Sequence, residues 1–321
     1  MIPIAASRLD QTAGVLHLRI VSPPDRTDAV LDLLRHAPAV ANLALLPNAA
    51  LDPAGDLVLC DLAREGANRV LAALRQLGLD RYGSIAVLHL DLSVSTVAQK
   101  AESRVPGHGS DAAVWEEVDA RVRDESALTA GFLVLVVIAS LIAAVGLVED
   151  APILIVGAMV VGPEYGPIAG LSVGLLKQRG WRVRTAAATL AVGLAAGAVA
   201  TYLATALAQG IGLVPEEFSP HVQPLTGFIV DPSVLSFVVA FLAGIAGTLS
   251  LTQAKANALT GVLISVTTIP AVAAIGVSGA LGSWEDAWGA TVQLLLNLLA
   301  LVLAGLLTLW AQREAWEELV P

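Results

Sequence analysis

Beyond Ala127 ionisable residues almost disappear, and apolar residues run in stretches long enough to cross a bilayer. A spanning helix needs about 20 mostly apolar residues. Six stretches reach that length: Ala127–Val148, Pro152–Leu176, Val183–Gln209, Ser233–Leu251, Ala258–Gly279 and Ala287–Trp310. This feature restricts the fold most, because a chain in lipid must satisfy its own backbone hydrogen bonds, and a helix does so within one segment. Up to Ser126, charged and apolar residues mix in the globular manner. The expectation is a soluble α+β domain over residues 1–92, a linker and juxtamembrane helix over 93–126, and an all-α membrane domain of about six transmembrane helices over 127–321.

The loops set an orientation. Arg121 and Arg123 precede the first stretch, and Lys177, Arg179, Arg182 and Arg184 join the second to the third. Lys255 lies between the fourth and fifth, and Arg313 follows the sixth. The other loops carry acids: Glu149 and Asp150, then Glu216, Glu217 and Asp231, then Glu285 and Asp286. By the positive-inside rule both termini face the cytosol, across the plasma membrane. Trp181, Trp284, Trp288 and Trp310 fall near stretch ends, where an aromatic belt belongs. The first thirty residues carry Arg8, Asp10, Arg19, Asp25 and Arg26 and lack an apolar core, so they do not read as a secretory signal. One cysteine, Cys60, allows no internal disulfide and reads as a small buried hydrophobe. A net charge of −10 with no basic stripe argues against nucleic acid as a partner.

In the soluble part, "GVLHLRIV" alternates as a strand does, and "TDAVLDLLRHA" places Val30, Leu33 and Leu34 at helical spacing before Pro38 stops it. "VANLALLPN" and "DLVLCDLA" are two strands joined by the turn "LDPAGD". "REGANRVLAALRQLGL" is a second helix with Gly78 near its C-cap, and "SIAVLHLDLS" is a fourth strand. The order βαββαβ is the ferredoxin-like plan. Asp91–Ser110 reads as a polar linker. A helix follows, with Val114, Val118 and Val122 on one face and Ser110 as its cap. Its apolar edge, with Trp115, suits lipid headgroups or a neighbouring subunit.

Two places are candidate sites. Both helix starts of the soluble part hold groups that suit a small anion, such as a nucleotide: Ser22, Asp25, Arg26 and Thr27 at the first, Arg64 and Asn68 at the second. Helix N-termini offer free N–H groups and a positive dipole end, and Arg adds a fork for phosphate or carboxylate. Ordinary capping with solvated arginines explains the same residues. The second candidate lies within "VGAMVVGPEYGPIAG", Val156–Gly170, where two prolines and a glutamate interrupt an apolar run. Pro163, Glu164, Gly166 and Pro167 break the second stretch, and Thr267, Thr268 and Pro270 interrupt the fifth at a matching place. Paired interruptions of this kind mark binding sites in inverted-repeat transporters. An intramembrane carboxylate is a functional hypothesis by default, although Glu164 as a cap at a helix break is equally open. Gln293 and Asn297 stand one turn apart on the sixth stretch and suit interhelical hydrogen bonding, and Asn297 is counted with the membrane site.

Several of these segments resemble an uncharacterised prokaryotic membrane family catalogued as domain of unknown function number 389. The resemblance rests on "ANRVLAALRQLGLDRYGSI", "IAAVGLVEDAPILIVGAMVVGPEYGPIAG", "GIAGTLSL" and "LLLNLLAL", with the Gly-Ala-Met block and Pro-x-x-Gly-Pro its most specific parts. It implies a multi-span membrane protein and supplies no catalytic residues. Its members usually carry apolar residues where this chain has Glu164 and Tyr165, and two adjacent prolines where only Pro270 stands here.

Two functions follow. One is a channel or transporter regulated by a cytosolic domain that binds a small anion. The other is a membrane-anchored ligand sensor or oligomeric scaffold without transport. No HExxH, Gly-x-Ser-x-Gly or Cys/His cluster points to an enzyme, and no motif calls for a cofactor or metal. Small-residue faces such as "GLSVG" and "GLAAG" suit close helix packing, and a cyclic homo-oligomer is expected.

Overall fold

The computed structural model describes residues 15–90, 95–105, 114–214, 223–252 and 268–319. The described residues fall into two compact units, the first of residues up to 118 with 252 and 316–319, the second of 119–251 and 268–315.

In the first unit, β1 (Val15–Ser22) places Leu16, Leu18 and Ile20 on one face, and all three are buried. Helix α1 (Thr27–His36) buries Val30, Leu31 and Leu34, with Asp28 in its first turn and Arg35 and His36 in its last, each on the favourable side of the dipole. Strands β2 (Val40–Leu51) and β3 (Ala54–Ala63) form a hairpin. Strand β2 runs past the expected "VANLALLPN" but with two register shifts, between Ala41 and Ala44 and between Leu46 and Ala50. Asn42 and Asn48 sit at these shifts with φ of 51° and 53°. Asn tolerates that left-handed region because its short polar side chain bonds locally; Asn42 donates to Asp61 at 2.6 Å.

After a 3₁₀ turn, α2 (Ala67–Gln76) buries Val70, Leu71 and Leu74. Gly78, at φ 74°, reverses the chain into the short α3 (Leu79–Tyr82), and β4 (Ser84–His89) completes an antiparallel sheet of order β2-β3-β1-β4. The core joins β1 and β3 to α1 and α2. The segment read as a polar linker contains a helix, α4 (Thr96–Glu102), because Ala98 and Ala101 find an apolar site beside Val15 and Ala41. Ser110 lies outside the described residues.

Helix α5 (Trp115–Glu125) follows, with Val114, Val118 and Val122 all buried. The second unit is helical: α6 (Ala130–Val148), α7 (Pro152–Val161), α8 (Tyr165–Leu176), α9 (Gly180–Gly210), α10 (Val234–Thr252), α11 (Ile269–Ala280) and α12 (Trp284–Leu319). Among the described residues four helices, α6, α9, α10 and α12, are long and apolar enough to cross a membrane. The pair α7 and α8, bent by 57°, makes a fifth span if taken as one. A sixth is not established: Ala258–Thr267 lie outside the described residues, and α11 alone, at 12 residues, is about 18 Å long. Leu295, Leu299, Leu303 and Leu307 stand exposed along one stripe of α12, as a lipid-facing surface requires.

Small residues carry the helix contacts, as expected where lipid supplies no hydrophobic drive between helices. A Cβ on Gly276 would overlap the Thr201 hydroxyl and lie 2.6 Å from the Ala198 carbonyl oxygen on α9. A Cβ on Gly279 would meet only the edge of Tyr202, at 3.5 Å. Gly276→Val should therefore destabilise the membrane unit by about 1–3 kcal/mol, seen as an earlier unfolding midpoint in detergent, while Gly279→Ala leaves the midpoint nearly unchanged. In the first unit, burial followed by the charge of Asp61 pushes the Cys60 thiol up to about 12. A maleimide at neutral pH should leave native Cys60 unlabelled and react fully after denaturation.

Candidate functional site

The break in the second stretch is built by its two prolines. Helix α7 makes its last bond from the Gly162 amide to the Ala158 carbonyl, at 3.2 Å. Pro163 disfavours the helical region for the residue before it, and Gly162 is extended at φ −68°, ψ 125°. Helix α8 restarts with Glu164 as its N-cap residue, and the Ile168 amide bonds the Glu164 carbonyl at 3.3 Å. Pro167 sits in the first turn of α8, where amides have no helical partner and proline costs little. A Cβ on Gly166 would strike the backbone of Glu125, and the Ser126 hydroxyl donates to the Gly166 carbonyl at 2.9 Å. The broken segment is thus held against the end of α5.

Glu164 is 1% exposed. The Thr268 hydroxyl donates to its Oε1 at 2.7 Å. Thr268 is the N-cap residue of α11, and Pro270 stands at the start of that helix. The side chain at one restarting helix therefore meets the N-cap residue of another. Both interruptions singled out in the sequence are joined through this one contact, across 104 positions of chain. Thr267 lies outside the described residues. Asn297 is buried and accepts from the Gln293 amide at 3.1 Å on its own helix, and Leu294 of that helix packs on Ala271 and Val272.

The anion candidates in the first unit have partners inside the protein. Ser22 and Thr27 both donate to the Pro23 carbonyl, at 3.2 Å each. Arg26 donates to the Leu77 carbonyl and lies 4.3 Å above the Tyr82 ring, with Asp25 3.8 Å away. Arg64 is buried against Glu117 at 2.9 Å, and the Asn68 carbonyl oxygen accepts from the Trp115 amide at 3.0 Å. Glu117 also meets His89 at 3.1 Å, and Arg75 reaches Glu116 at 2.9 Å. Arg64 and Asn68 thus hold the first turn of α5, while Arg26 closes on the end of α2.

One cluster was missed in sequence. Asp119 gathers Lys177 at 2.8 Å, Arg182 at 3.0 Å and Arg179 at 3.3 Å, all from the loop and helix start after α8. The basic loop had a topological meaning only; the available signal was an acid one residue after Val118 on a helix leading into the first span. Burial pushes the Asp119 carboxyl up, but the hydrogen bond and charge of Lys177 and the charge of Arg182 outweigh it. The pKa ends below the ordinary 3.8. A carboxyl whose pKa falls on folding stabilises the native state above its unfolded value and loses that contribution as pH drops through the folded one. The window lies below pH 3.8. Asp119→Asn should lower stability at neutral pH by about 1–3 kcal/mol and flatten the acid slope in that window, measured by denaturant unfolding across pH. Equal acid slopes in the two proteins would contradict the assignment.

No curated protein and no solved structure matches this chain. Residues 159–303, which include both helix interruptions and the basic loop, match the family model described as Domain of unknown function (DUF389), the family that the Gly-Ala-Met block and its Pro-x-x-Gly-Pro frame resemble.

Proposed function

We propose that this membrane protein conducts a small cation or proton, as a channel or transporter, along a path that passes Glu164 and Thr268. The observation that carries the reading is the buried 2.7 Å contact between the Glu164 carboxylate at one helix restart and the Thr268 hydroxyl at another. Ionisable groups at membrane depth are costly and gather where ions or protons move. Broken helices add backbone carbonyls and amides that can replace the hydration of a passing ion, and transporters place such breaks near the bilayer midplane. The Glu164 carboxyl and the Thr268 hydroxyl supply oxygens that a cation or a proton can use, and the reading is not enzymatic.

The first unit is read as a cytosolic regulatory domain on the ferredoxin-like plan. Its element order and the strand order β2-β3-β1-β4 support this. Such domains often take small effectors, but an anion at the helix starts would have to displace Leu77 from Arg26 and Glu117 from Arg64. The regulatory role therefore rests on the fold plan and not on those arginines.

The test is flux in proteoliposomes holding the purified full chain, with K⁺, Na⁺ and proton gradients read separately. Glu164→Gln should reduce flux on the order of ten-fold or more, a loss of about 1.4 kcal/mol or more in the barrier. Thr268→Val should give a smaller loss. Unchanged flux in a well-folded Glu164→Gln protein, or no wild-type flux of any of the three ions, would sink the proposal.

A further inference from the structure

A cavity of about 210 Å³ lies between the end of α5, helix α8 and the start of α9, within the second unit and apart from the Glu164–Thr268 contact. Its lining mixes two chemistries. Val122, Ala127 and Ala186 contribute apolar groups, and Arg123, Arg182 and Trp181 basic and aromatic ones, with Arg182 5.5 Å above the Trp181 ring. Arg182 is 8% exposed, and its Nε has no hydrogen-bond partner among the described residues, while its Nη1 lies 3.0 Å from Asp119. A guanidinium held by one edge and left with a buried N–H on another lacks an acceptor that it would bond.

The surrounding charge favours an anion. Lys177, Arg179 and Arg182 face the single carboxylate of Asp119. Arg121 and Glu125 offset each other at 2.9 Å. Arg123 is exposed at the cavity wall, and exposed Asp124 beside it supplies one opposing charge. Arg182 also stands in the first turn of the 31-residue α9, at the positive dipole end.

We infer that this cavity holds an anionic phospholipid, with its phosphate on Arg182 and Arg123 and the upper part of an acyl chain against Val122, Ala127 and Ala186. The place selects a lipid over a free anion. The cavity opens where α9, a spanning helix, begins, and Trp181 lies 60% exposed there, as aromatic residues do at headgroup depth. Basic pockets between transmembrane helices suit lipid headgroups. The volume is below the roughly 300–1,000 Å³ of sites for drug-sized molecules, which fits a headgroup better than a nucleotide. Ser126 lines the same cavity and holds the Gly166 carbonyl, so a bound lipid rests on the residue that secures the broken helix.

The experiment uses the full chain extracted from membranes and exchanged into nanodiscs of phosphatidylcholine, with or without phosphatidylglycerol. Native mass spectrometry counts the lipid adducts that survive release, and thermal unfolding reports stabilisation. The wild type should keep a phosphatidylglycerol adduct and unfold later in the mixed nanodiscs. Arg182→Gln should lower occupancy about five-fold, the effect of one basic side chain near a membrane surface. Arg123→Gln should act in the same direction without touching the Asp119 cluster, and it stands in if Arg182→Gln fails to fold. Ala186→Phe, which fills the apolar side and keeps every charge, should also release the lipid. Equal retention of phosphatidylcholine, undiminished adducts in both Arg123→Gln and Ala186→Phe, or full stabilisation by inorganic phosphate in lipid-free detergent would each overturn the inference.

Discussion

Between Val161 and Tyr165 the backbone leaves the helix inside a segment otherwise fit to span a bilayer. The last carbonyls of α7 and the first amides of α8 lose their helical partners there, and lipid offers none. Contacts from elsewhere in the same unit hold the break in place. Ser126 bonds the Gly166 carbonyl, Gly166 admits the backbone of Glu125, Gly170 admits the Ser126 side chain, and Glu164 receives Thr268. Remove the break, and the close approach of α5 and the meeting of two helix starts have no physical reason to persist.

A second theme is that acids on one short helix fix cations nearby. Glu116 and Glu117 take Arg75 and Arg64 in the first unit, and Asp119 takes three cations in the second. Isolated surface pairs contribute little, whereas partly buried networks with several partners hold geometry. Arg64 and Arg182 are the buried members, and both are ordered by carboxylates of α5.

Much of the fold was legible because it depends on local periodicity. The alternation in "VLHLRIV" gives β1, and the spacing of Val114, Val118 and Val122 gives the buried edge of α5. Helix α4 was not legible, since two alanines carry little signal until a partner surface is known. The same limit governed the sites. Sequence displays donors such as Arg26 and Arg64 but not the acceptors that they meet 51 and 53 positions away. At the broken helix the prolines announce an interruption by themselves, whereas the meeting of Glu164 with Thr268 depends on tertiary packing.

The hairpin of β2 and β3 has a consequence for how copies of this chain can associate. Strands β2 and β4 are the two edges of the sheet. An exposed flat edge invites another chain to add a strand, and bulges or brevity prevent it. Strand β2 departs from regular pairing twice, with left-handed asparagines at both places, and β4 has six residues. Neither edge offers a long regular row of amides and carbonyls. Another chain would find little regular edge to extend in this unit, and side-chain faces, which sequence can tune independently of the backbone, are what it leaves for association.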